Sequence, residues 1–195
     1  MKKDSKEIRF HGRGGQGVVV ASEILVAAFL QDGKFGQSFP FFGVERRGAP
    51  VAAFVRCSNH QIWEKTQVYT PDCLVLMDLR LLKAVDVFAG VKDGATLVVN
   101  SEILELDNVP KQISAIGKVN ATRIAVDCLG TPIVSTCILG AFAAATGWVS
   151  LNAVLKGVEQ ILPKEFAKAN QKAVRRAFAE TCIQRRGHEK DQIKR

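Results

Sequence analysis

The sequence predicts an α/β domain: a mostly parallel sheet with flanking helices and a C-terminal helical cap. Three observations carry this. A glycine-dense turn from Gly12 to Gly17 separates a short apolar strand from a long apolar helix. Two unbroken apolar runs, residues 73–77 and 95–99, have the composition of strands buried on both faces of a parallel sheet. The last third of the chain is helical in pattern, punctuated by Gly147, Ser150 and Pro163. The length agrees, because 195 residues make about one domain and bury roughly 70% of the unfolded surface without disulfides or a structural metal. A single domain over residues 1–183 and a basic, flexible tail over 184–195 are expected.

Ile8, Arg9, Phe10 and His11 form the first strand candidate. Between residues 18 and 30 only Ser22 and Glu23 are polar, and an apolar run of that length is a mostly buried helix, ended by Asp32 and Gly33. Residues 35–39 give a second strand, interrupted by Gly36, and residues 51–56 a third, after a loop rich in glycine and arginine. Pro71 opens a new unit. The strand at 73–77 leads into a helix predicted over 79–88, a turn at Lys92, Asp93 and Gly94, and the strand at 95–99, a βαβ succession. The pattern between 102 and 118 is too weak to assign, and 122–126 is read as one more short strand. Helices follow at 133–146 and at 151–161, the latter with Ser150 as N-cap. In the last helix, opened by Pro163, Phe166, Ala169, Ala173 and Ala177 recur at helical spacing. Lys164, Lys168, Lys172, Arg175 and Arg176 lie mostly on its other faces and read as a solvated surface.

The net charge is +8, and the tail after residue 183 holds +3 of it, from five basic against two acidic residues. No aromatic–basic interleaving, zinc finger or recognition-helix pattern is present, so nucleic acid is not an expected partner. No apolar run approaches the ~18 residues that span a bilayer, and no apolar stretch follows the charged first residues. A cytoplasmic protein without a membrane partner is expected. Cys57, Cys73, Cys128, Cys137 and Cys182 are odd in number and contain no C-x-x-C pair, which gives zinc or iron–sulfur binding no local support. Cys73, Cys128 and Cys137 sit among apolar residues and read as small buried hydrophobes. No metal site and no catalytic residue is assigned to the chain; hydrolase elbows, H-E-x-x-H and P-loops are absent.

The sharpest feature is Gly12-Arg13-Gly14-Gly15-Gln16-Gly17, with G-x-G-x-x-G spacing between a predicted strand and a predicted helix. Glycines permit a tight turn and close backbone approach, a helix N-terminus attracts phosphate, and Arg13 adds a guanidinium to it. A Rossmann-like sheet is the fold this context implies. The acidic residue that would hold a nicotinamide ribose is missing from the end of the second strand, since Asp32 precedes that strand. Three readings stay open here: a dinucleotide site, a phosphate or diphosphate site, and a turn that is tight only for packing. A second feature, residues 39–50, places Phe39, Phe41 and Phe42 beside Glu45, Arg46 and Arg47, residue types that favour an interface; a solvated loop is the alternative. His11, Asp78 and Asn100 end strands at the sheet edge where α/β ligands bind, although Asp78 also suits a helix cap.

The two glycine motifs in this order, His11 to Gly17 and Gly43 to Pro50, resemble the gamma subunit of pyruvate:ferredoxin oxidoreductase and related 2-oxoacid:ferredoxin oxidoreductases. The likeness continues through Asn120-Ala121-Thr122-Arg123-Ile124-Ala125 and the Gly140 helix to Arg175 and Arg176, leaving only the tail unmatched. The resemblance implies a multi-subunit enzyme that decarboxylates a 2-oxo acid on thiamine diphosphate, passes the acyl group to coenzyme A and sends electrons through iron–sulfur clusters to ferredoxin. This chain lacks a Gly-Asp-Gly thiamine motif, so companion alpha-, beta- and delta-type subunits are expected to supply thiamine diphosphate and the clusters. The chain alone is expected to be inactive. Its Gly12–Gly17 loop and Arg13 suit the diphosphate of coenzyme A, and Glu45, Arg46 and Arg47 suit either coenzyme A or a subunit contact. A stand-alone nucleotide-binding oxidoreductase and a purely structural subunit are the competing readings. The residues after Phe42 resemble pyruvate enzymes more than 2-oxoglutarate ones.

Overall fold

The computed structural model of the chain describes residues 5–41, 48–102 and 108–186. Its elements in chain order are β1 (Lys6–Arg13), α1 (Val18–Gln31), β2 (Phe35–Phe41), β3 (Pro50–Ser58), β4 (Cys73–Leu76), a 3-10 turn (Leu79–Lys83), β5 (Ala95–Asn100), β6 (Ile113–Val119), α2 (Ala121–Leu129), α3 (Ser135–Thr146), α4 (Leu151–Ile161), α5 (Lys164–Glu180) and β7 (Cys182–Arg185). The seven strands form one sheet in the order β2-β3-β1-β4-β5-β6-β7. Its centre, β1-β4-β5-β6, is parallel, and the joints β2–β3, β3–β1 and β6–β7 are antiparallel.

The apolar run around β4 is explained by its central place. Cys73, Val75 and Met77 face one side, while Leu74 and Leu76 face the other, and all five are buried. All five helices lie on the first side, where α1 and α3 pack on the strands and α4 and α5 pack on those helices. The second side is covered by the segment after β4, through Leu81, Val85, Val87 and Phe88.

That segment is the first correction to the expected elements. The helix predicted over 79–88 is a 3-10 turn of five residues followed by irregular chain. Val87 and Ala89 give their carbonyls to the Arg9 guanidinium at 3.0 and 2.7 Å, which fixes them in a loop, and β-branched Val85 and Val87 favour helix weakly. A second correction concerns 122–126, which is not a strand but the body of α2. Asn120 starts this helix by accepting the Arg123 N–H at 2.9 Å, and Ala121, Ile124 and Ala125 are its buried face. The strand of that region is β6, inside the stretch left unassigned. The helices α3, α4 and α5 fall where expected, with Gly147 closing α3 and Ser150 capping α4. Cys73 and Cys137 are buried as expected, whereas Cys128 is partly exposed. At the far edge β7 pairs with β6, so Gln184 and Arg185 belong to the sheet rather than to a free tail.

Candidate anion-binding site at the glycine loop

β1 ends at Arg13 and α1 begins at Val18, so the glycine motif forms the turn between them. Gly17 is the N-cap residue of α1 at φ 79°, a left-handed conformation that a side chain resists. A Cβ there would also lie 2.8 Å from the Cβ of Ser135, so the first turns of α1 and α3 touch at this glycine. Gln16 braces the turn from within: its Oε1 accepts the Arg13 N–H at 2.7 Å, and its N–H reaches the Arg13 carbonyl at 3.0 Å. The Gly14 N–H donates to Ala49 O at 2.9 Å and the Gly48 N–H to Gly14 O at 3.2 Å, which ties the turn to the segment before β3.

Arg13 is partly committed. Its Nε donates to Asp78 Oδ2 at 3.0 Å and its Nη1 to Gly48 O at 3.0 Å, with the side chain 25% exposed. Nη2 has no protein acceptor among the described residues. Asp78 is both the cap of the 3-10 turn and the partner of Arg13. Hydrogen bonds from Arg80, together with the Arg80 and Arg13 charges, outweigh its burial and bring the carboxyl down to about 2, so it is ionised at any working pH.

Behind Arg13, Gly14, Gly15 and Gly17 opens a cavity of about 650 Å³, walled by Val18, Val19, Val20, Cys128, Leu129, Ile133, Leu162 and Phe166. The opening turns of α1, α3 and α5 all reach it. Their N-cap positions are Gly17, Val134 and Pro163, and none of the three helices has a side-chain cap, whereas α2 and α4 are capped by Asn120 and Ser150. The uncapped first turns of α1 and α3 thus border the loop end of this cavity, while α5 lends it the face of Phe166, Ala169 and Asn170 and carries Glu165 in its own first turn. The loop end of the cavity carries the Arg13 guanidinium and backbone N–H groups, and its wall along α1 is apolar. This meeting of helix starts was missed in the sequence, because it joins residues far apart along the chain.

The other candidates separate. His11 sits beside the loop with Nε2 accepting from Arg9 Nε at 3.1 Å; burial first, and then the Arg9 charge, lower it to about 3. It is neutral at working pH. The unfolded chain takes up this proton near 6.5 while the folded one resists to about 3, so stability is full above 6.5 and declines as pH falls toward 3. His11→Gln is expected to flatten that decline, checked by urea midpoints measured across the interval. Asn100 is structural, its Nδ2 donating to Met77 O at 3.0 Å and Thr122 Oγ1 at 2.9 Å. Asp32 ends α1 and accepts from Ser150 N and Oγ, so it is spent on the start of α4. Glu45, Arg46 and Arg47 lie outside the described residues. Burial pushes the Cys57 and Cys137 thiols up to about 11 and 12 and Cys73 well above its ordinary value.

The family model described as pyruvate ferredoxin/flavodoxin oxidoreductase matches residues 7–180. The common gamma subunit of the pyruvate/ketoisovalerate oxidoreductases of Thermococcus litoralis is 48% identical over 180 residues, 91% of this chain and 97% of that one. Subunit PorC of pyruvate synthase from Methanothermobacter thermautotrophicus is 46% identical over 174 residues, 89% and 94% of the two chains. The crystal structure of pyruvate oxidoreductase subunit PORC from Thermotoga maritima superposes with a TM-score of 0.79 at 36% identity, covering 93% of this chain and 99% of that one. With the glycine loop, the sheet order and nearly the full length accounted for, the chain belongs to the pyruvate ferredoxin/flavodoxin oxidoreductase family, as a subunit of the gamma type.

Proposed function

We propose that this gamma-type chain completes a 2-oxoacid:ferredoxin oxidoreductase acting on pyruvate, and that its glycine loop holds the diphosphate of coenzyme A. The observation that carries the ligand is the meeting of the uncapped starts of α1 and α3 at one cavity with Arg13 at its rim. First-turn N–H groups and Arg13 Nη2 neutralise the diphosphate, and the apolar wall along α1 excludes water from the arm it carries. Companion alpha-, beta- and delta-type subunits hold thiamine diphosphate and the iron–sulfur clusters, form the acyl group and deliver electrons to ferredoxin; the acyl group passes to the coenzyme A thiol. The lack of a C-x-x-C pair among the five cysteines of the chain supports that division. So does a relative common to pyruvate and ketoisovalerate oxidoreductases, which favours placing the choice of 2-oxo acid outside the gamma chain; the pyruvate synthase relative favours pyruvate. Among the described residues no helix is long and apolar enough to cross a membrane, which agrees with a cytoplasmic complex.

The test is purification of the native complex through a tag on this chain. Co-purifying thiamine- and cluster-binding chains, with pyruvate- and coenzyme-A-dependent reduction of ferredoxin, are expected; a chain that purifies alone sinks the assignment. In that complex Arg13→Ala is expected to raise the KM for coenzyme A about tenfold, the effect of one lost charge-assisted hydrogen bond. A second reading draws on the bonds that Arg13 already makes to Asp78 and Gly48, which suit a loop brace. It predicts that Arg13→Ala weakens assembly and leaves coenzyme A kinetics intact.

A further inference from the structure

Asp78 follows directly on the carboxyl end of β4, and its carboxylate serves two guanidinium groups at once. Oδ2 accepts from Arg13 Nε at 3.0 Å and from Arg80 Nη2 at 2.7 Å, while Oδ1 accepts from Arg80 Nε at 3.0 Å and from Arg80 N at 2.9 Å. The Asp78 side chain is 6% exposed, whereas that of Arg80 is 77% exposed. One buried negative charge therefore holds two positive ones, and the surplus is presented to solvent on Arg80, one carboxylate away from the glycine loop. A surface arginine ordinarily spreads over many rotamers. The paired N–H···O bonds from Nε and Nη2 fix this guanidinium in one plane, so much of the ordering cost of binding is already met. Its Nη1 donates to nothing among the described residues.

Coenzyme A carries a second anion, the 3′-phosphomonoester of its ribose, set one sugar away from the diphosphate. If the loop and Arg13 take the diphosphate, the 3′-phosphate needs a separate cation close to Arg13, and Arg80 is bridged to Arg13 through a single oxygen atom. A planar guanidinium is also the donor best matched to a phosphate's oxygens. We propose that Arg80, held by Asp78, recognises the 3′-phosphate of coenzyme A and gives the complex its preference for coenzyme A over dephospho-coenzyme A. This rests on the reading of the glycine loop as the diphosphate site. Asp78 is then a positioning residue, and Arg80 the residue that reads the phosphate.

The test compares kcat/KM for coenzyme A and dephospho-coenzyme A in the assembled complex carrying substituted gamma chains. Arg80→Ala is expected to lower kcat/KM for coenzyme A about tenfold through KM and to leave dephospho-coenzyme A and the KM for pyruvate unchanged. Asp78→Asn is expected to lose part of the same preference, and Arg80→Lys to keep part of it. Arg13→Ala lowers both cofactors by a similar factor, because both carry the diphosphate. An Arg80→Ala complex in which both cofactors fall equally, or neither changes, overturns the proposal. Arg13→Ala without effect on either cofactor overturns the diphosphate reading beneath it.

Discussion

Replacing Arg56 by methionine is expected to cost the fold about 3 kcal/mol, the low end of the cost of breaking a buried ion pair, because Lys92 still faces Glu7. Arg56 Nε donates to Glu7 Oε1 at 3.0 Å with side chains only 3% and 5% exposed, inside the β1–β3 joint. The same guanidinium ties down the strand-to-strand connection ahead of β4, through the carbonyls of Thr66 and Gln67. Methionine leaves Glu7 with Lys92 Nζ at 3.3 Å and the two carbonyls without their donor. Urea unfolding followed by circular dichroism measures the loss. Converting Glu7 to leucine in the same chain should recover part of it, because an apolar pair of similar volume removes the buried charge while the Thr66 and Gln67 carbonyls still lack their donor. A single variant as stable as the parent would mean that this joint is hydrated rather than closed.

Gly140→Val is expected to destabilise the chain by about 3 kcal/mol, the upper end of the cost of overpacking, and to lower Tm on the order of 10 °C. A Cβ at Gly140 would overlap the carbonyl oxygen of Val174 and lie 3.0 Å from the amide nitrogen of Phe178. Both are backbone atoms of α5, which cannot rotate away as a side chain can, so α5 must lift off α3. Gly140→Ala meets the same carbonyl with fewer atoms and should show a smaller part of the effect. Because Asn170 and Thr136 join α5 to α3 by a 2.7 Å hydrogen bond beside the cavity, the variant should also weaken coenzyme A binding by the complex. Thermal melting of the chain and KM in the complex check the two consequences separately; an unchanged Tm would show that α5 does not seat on α3 at this glycine.

What could be read from the residues followed their punctuation. Gly147, Ser150 and Pro163 mark helix ends by local chemistry, a left-handed closing residue, a hydroxyl that accepts an N–H and a fixed φ, and the three helices they bound fall in place. Where tertiary contacts decide, the pattern misleads. Thr122, Ile124 and Val126 alternate as a strand would, yet burial falls on Ala121, Ile124 and Ala125, the spacing of a helix held by the Asn120 cap. β6 was hidden by Ser114, Gly117 and Lys118, which weaken its apolar run; Gly117 is there because a Cβ would lie 2.5 Å from that of Ala145. The helix expected after β4 lost its carbonyls to Arg9, a residue about 80 positions away that no local pattern can reveal. The glycine loop was legible because its chemistry is consecutive in the chain. The uncapped starts of α1 and α3 around the cavity and the Arg13–Asp78–Arg80 chain were not, since they are assembled from separate elements of the sheet edge and the helical layer.

The last strand has a consequence for how the protein is made. β6 is complete at Val119, but its outer edge is covered by residues that follow all of α2 to α5, with Lys118 reaching Gln184 across 66 positions of chain. On the ribosome, the parallel centre and the helical layer can assemble while that edge still presents its row of unpaired amides to the surroundings. Until β7 docks, the chain is thus most prone to join a neighbour's strands at this edge. Cover for β6 therefore waits on residues that follow the whole helical layer, and the edge that remains afterwards is the four residues of β7, too short to offer a long row of amides to a neighbour.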